Sequence, residues 1–144
     1  MSRFSCLVLA GFAAAAFAAS PASAETMSFK ADLKGSSEVP PTESGGTGTL
    51  TATYNTSGRK LTWEGSVSGL SGAATAAHFH GPAEPGKNAG VLVPAPSVKI
   101  GPFEGSATLT DAQAKALMAG QTYFNVHTAA NPNGEVRGQV LKGK

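Results

Sequence analysis

Thr49-Leu50-Thr51-Ala52-Thr53-Tyr54-Asn55-Thr56-Ser57-Gly58-Arg59-Lys60-Leu61-Thr62-Trp63-Glu64 is the stretch that decides the fold class. Leu50, Ala52 and Tyr54 alternate with threonines. Leu61 and Trp63 alternate with Lys60, Thr62 and Glu64. A period of two puts the apolar residues on one face of an extended strand and the polar ones on the other. Between the runs, Asn55-Thr56-Ser57-Gly58 is turn chemistry, so the two strands form a hairpin. Val67 continues the second strand, and Trp63 belongs to its core-facing side.

The same period recurs on both sides. Phe29, Ala31 and Leu33 alternate with Lys30, Asp32 and Lys34, and Ala77 and Phe79 with Ala76, His78 and His80. Phe103, Ala107 and Leu109 mark a further strand. Tyr123–Thr128 and Val136–Leu141 are the last two, joined by Asn131-Pro132-Asn133-Gly134, where Gly134 can take a positive φ. One segment reads as helix. Thr110 and Gln113 form a capping box, Asp111 suits the first turn, Ala114, Leu117 and Met118 share a face, and Gly120 ends it. Gly- and Pro-rich loops are expected at 39–48 and 81–96, the second beside the histidines. Six to eight short antiparallel strands with one short helix predict an all-β fold, a β-sandwich or small barrel.

The chain has 144 residues, enough for one domain, and a net charge of +2 with basic residues scattered. That balance gives no electrostatic footprint for nucleic acid. The N-terminus reads as a signal peptide over residues 1–24. Arg3 supplies the positive end, Cys6–Ala19 an apolar run too short for a good membrane span, and Ala22-Ser23-Ala24 a small-x-small cleavage site. Cleavage after Ala24 predicts a periplasmic or secreted domain over 25–144. It carries no membrane span and no cysteine, hence no disulfide or thiolate chemistry.

His78, His80 and His127 are the only histidines. His78-Phe79-His80 on a strand sets two imidazoles on one face, about 6.6 Å apart along the chain. His127 sits opposite Phe124 and Val126 in the same manner. Were the two strands neighbours, three imidazoles would converge on a site suited to zinc or copper, with a position left for water or for Glu84 or Glu135. Histidines on strands also serve by bonding backbone carbonyls or lining a surface. Arg137, opposite in phase to Val136 and Val140, falls either near the histidine face, where it would depress their pKa values, or at a solvated strand edge.

Other patterns carry less. Gly69-Leu70-Ser71-Gly72-Ala73 fails the nucleophile-elbow motif at its last two positions. Gly46-Thr47-Gly48 lacks the third glycine of a dinucleotide site. Asp32, Glu38, Glu64, Glu104 and Asp111 show no local pairing. No catalytic residue is assigned.

Ala76-Ala77-His78-Phe79-His80-Gly81-Pro82-Ala83 resembles the central motif of CHRD domains, named after repeats in chordin and found also in secreted bacterial proteins. Leu109-Thr110-Asp111-Ala112-Gln113, Gly120, Tyr123–Thr128, Asn133-Gly134-Glu135 and Arg137-Gly138-Gln139 fit the same pattern, as does Phe29–Pro41. The resemblance runs from about Met27 to Leu141. It implies a β-rich, immunoglobulin-like domain without an established activity, and its histidine motifs match His78, His80 and His127. The expectation is therefore an exported CHRD-like module binding copper or zinc through those three histidines. The alternatives are an interaction or structural module with an unknown protein partner, and a copper-dependent redox enzyme. His-x-His resembles copper–zinc superoxide dismutase, but three histidines and no disulfide cysteines depart from that pattern.

Overall fold

The computed structural model describes residues 24–96 and 98–143. The leader expected over 1–24 lies, apart from Ala24, outside the described residues. Among the described residues nine strands and one α-helix follow in order: β1 (Thr26–Lys34), β2 (Thr47–Asn55), β3 (Lys60–Ser68), β4 (Ala74–His80), β5 (Val91–Pro94), β6 (Gly101–Thr108), α1 (Asp111–Met118), β7 (Tyr123–Thr128), β8 (Val136–Gln139) and β9 (Leu141–Lys142). A 3₁₀ turn, Gly35–Ser37, follows β1. No described helix is long and apolar enough to cross a membrane.

The alternation of the sequence becomes the two faces of one sheet. The strands pair antiparallel in the order β5-β4-β7-β8-β1-β2-β3-β6, with β9 added to β1. Asn55 pairs with Lys60 across the first hairpin, and the Asn55 side chain accepts a hydrogen bond from the Gly58 N–H. The positive φ there falls on Arg59, at 51°. The sheet curls until its two halves meet, a nearly closed barrel. Trp63 of β3 packs edge-on against Phe79 of β4, with ring centroids 5.0 Å apart. Phe103 of β6 stacks on Phe124 of β7 at 5.7 Å. Burial of each such side chain contributes roughly 1.5–3 kcal/mol. The all-β antiparallel class with one short helix holds, and of the two expected forms the sheet takes that of the barrel.

Helix α1 begins as its sequence dictates. The Thr110 hydroxyl accepts from the Gln113 N–H, and the Gln113 side chain accepts from the Thr110 N–H. Gly120 ends it at φ 72°. Ala114 and Leu117 are buried, which gives this short helix the packing it needs. Two readings need correction. The 81–96 segment is not all loop, because its end folds as β5 along β4, Phe79 facing Val93. Four residues ending in proline are too few to show a period. The last strand breaks at Val140, leaving β9 to pair with Phe29 and Lys30 of β1.

Candidate metal centre

Strands β4 and β7 are direct neighbours, the condition the histidine reading required. Ala76 pairs with His127, His78 with Asn125 and His80 with Tyr123. Ala77, Phe79, Phe124 and Val126 point into the core. The alternate positions, His78, His80, Asn125 and His127, therefore share the other face. Nitrogen atoms of the three imidazoles all lie within 4.8 Å of one another.

This outer face is not bare. Residues 82–90 fold back over it: Gly81 N–H donates to the Gly90 carbonyl, Ala83 N–H to the Gln121 carbonyl, and Asn88 to the Val39 carbonyl. His80 is buried as a result, while His78 and His127 are half-buried. The covering loop and the β7–β8 turn also orient the rings. His80 Nδ1 lies 3.0 Å from the Ala89 carbonyl and His127 Nδ1 lies 3.0 Å from the Pro132 carbonyl. A carbonyl only accepts, so each Nδ1 carries the proton and each Nε2 carries a lone pair. His78 Nδ1 sits 3.1 Å from His127 Nε2 and donates to it. His80 Nε2 is buried with no partner.

The charges act in one direction. Burial lowers the His78 pKa, and the neighbouring His127 and His80 lower it further. Burial lowers that of His80 as well. His127 and Arg137 add to this, while the Ala89 carbonyl and the nearby Asn125 side chain, which favour the protonated ring, oppose it. Both rings are thus held neutral, the form that ligates a metal.

Arg137 is buried, not a solvated edge residue. Its guanidinium lies 3.4 Å over the Tyr123 ring, which also stacks on His80 at 4.9 Å with a 2° interplanar angle. Arg137 also donates to Asn88 Oδ1 at 2.8 Å and to the Lys87 carbonyl at 2.5 Å. It therefore ties down the loop that carries Ala89. Neither expected carboxylate joins the histidines. Glu84 accepts from Gln121. Glu135 is engaged by Ser44, Ser71 and Thr128. Sequence reasoning missed Tyr123 and Asn125. They stand four and two residues before His127, and the period of two that placed His127 on this face places them there too.

A nearly closed antiparallel barrel with three imidazoles gathered on its outer face defines the class: a small β domain with a candidate metal centre. The family model for the CHRD domain matches residues 29–140, and the chain belongs to that family. Comparison with curated proteins and with solved structures returns no match.

Proposed function

We propose that this chain is an exported CHRD-domain protein that binds a copper or zinc ion through His78, His80 and His127. The observation that carries the reading is the double anchoring of His80 and His127 by Nδ1–H to backbone carbonyls. Such bonds fix the tautomer and leave Nε2 as the lone-pair atom of each ring, as in protein metal sites whose ligands are held by a second layer of acceptors. His127 Nε2 accepts from His78 Nδ1–H in the ion-free protein, and that bond opens when an ion binds. The closeness of the three rings supports it further, since three imidazoles suit either metal. Export rests on Arg3, the apolar run Cys6–Ala19 and Ala22-Ser23-Ala24. An N-terminus found at Glu25 in protein recovered outside the cytoplasm supports it; an intact Met1 overturns it.

Calorimetric titration of the purified protein with Cu(I), Cu(II) and Zn(II), beside a His78→Ala/His80→Ala variant, tests the site. Stoichiometric binding that the variant loses is the expected result. A folded wild type that binds none of the three overturns the reading and leaves an interaction module whose histidines are structural.

A further inference from the structure

Asn125 is the cross-strand partner of His78 and stands two residues before His127 on the same face of β7. Its side chain is buried, and its Oδ1 has no hydrogen-bond partner. It lies close to the His80 side chain. His80 Nε2 is the second buried atom in this spot without a partner. It holds a lone pair, because its Nδ1–H is spent on Ala89. Two buried acceptors facing one place cannot satisfy each other, and leaving them unmet costs about 1–3 kcal/mol each. A cation between them satisfies both at once, and the metal-specific effects tested below separate it from a bridging water.

The orientation of the amide fits. Asn125 Nδ2 lies on the side of Gly134, within 2.6 Å of where a β-carbon there would stand, and the Glu38 carboxyl crowds the same point. Glu38 feels Asn125 as a hydrogen-bond donor. With the nitrogen turned to Glu38, the oxygen faces the histidines. Gly134, at φ 129°, leaves the room for this contact.

We propose that Asn125 Oδ1 is a fourth ligand, so that the centre is three imidazoles and one amide oxygen, with Glu38 holding the amide in place. This rests on the three-histidine reading. An uncharged oxygen is a hard donor, which suits Zn(II), Co(II) or Cu(II) and adds little for Cu(I). Four donors also complete the tetrahedral number that zinc prefers.

The test uses the purified protein with Zn(II), Co(II) and Cu(I), and two variants, Asn125→Ala and Asn125→Asp, with thermal unfolding as the check on folding. Asn125→Ala is expected to weaken Zn(II) by about tenfold or more and to change the visible Co(II) spectrum, leaving Cu(I) within about twofold. Asn125→Asp keeps an oxygen and is expected to retain Zn(II) binding. A merely structural asparagine predicts otherwise: an aspartate set against Glu38 would harm binding as much as alanine does, and for all three ions alike. That pattern overturns the proposal, as does an Asn125→Ala protein with the wild-type Co(II) spectrum and Zn(II) affinity. A wild type that binds no ion overturns the three-histidine reading itself, a result distinct from either.

Discussion

Glu135 follows Gly134 in the chain and Glu38 packs against that glycine; both are buried, at 0% and 5% exposure, and the fold treats the two carboxyls in opposite ways. Burial pushes the Glu135 carboxyl up. The Ser71 hydroxyl, Thr128 hydroxyl, Ser44 hydroxyl and Ser71 N–H outweigh it and hold its pKa at about 2. Those donors come from the segments before β2, before β4 and at the end of β7, so one carboxylate ties three parts of the chain together. Glu38 has fewer partners. Burial raises its pKa to about 7, against Arg137, Asn125 and the Val39 N–H, and its Oε1 is bonded to nothing. A saturated carboxylate is a structural tie. An unsaturated one, beside an unsaturated asparagine and histidine, marks the face where the fold has left valences open.

Glu135→Gln should break the contrast most. It leaves donors facing an amide and should destabilise by roughly 3 kcal/mol, read as a shift in the urea midpoint. A loss under about 0.5 kcal/mol would show that the four bonds hold nothing together. Gly134→Ala drives a β-carbon into the Glu38 carboxyl and the Asn125 amide. Its φ alone should cost roughly 2 kcal/mol, with further loss from displacing Glu38 and Asn125.

The third prediction concerns pH, in metal-free protein with chelator present. The Glu38 pKa is raised on folding, so the native state holds a proton that the unfolded chain releases. Its contribution is fully present below 4.5 and is lost as pH rises through about 7. Glu38→Gln removes that loss and should be more stable than wild type at pH 8 by roughly 2 kcal/mol. Parallel stability curves for the two proteins from pH 4.5 to 8 would refute this. Glu135 works in the other direction. Its lowered pKa contributes stability above 4.5 that disappears as pH falls toward 2. Ser44→Ala is the mildest probe, removing one donor of four at a cost of about 1 kcal/mol. It should also move the acid unfolding limb to higher pH, as acid titration followed by circular dichroism would register.

The strands were legible because each half-buried strand writes its faces into alternate residues, as Leu50, Ala52 and Tyr54 do. The helix was legible because Thr110 and Gln113 are a local device. His78 and His80 were legible as a pair for the same reason. What the sequence did not disclose is non-local. That β4 lies beside β7 follows from how the sheet closes. Arg137 reads as a solvated residue until Tyr123 and the 82–90 loop are seen to enclose it. Ser71 belongs to a failed motif in sequence, yet in space it is the chief partner of Glu135, 64 residues away. Glu38 and Asn125 have no special sequence context, and only their burial without partners sets them apart.

Trp63 gives the molecule an optical gauge. It is the only tryptophan, and it leans on Phe79, the residue between His78 and His80. Its emission therefore arises from the core side of the strand whose outer side carries the histidines. Any ion that quenches or repositions that strand is visible in the unlabelled protein, and a titration needs no dye, tag or engineered probe.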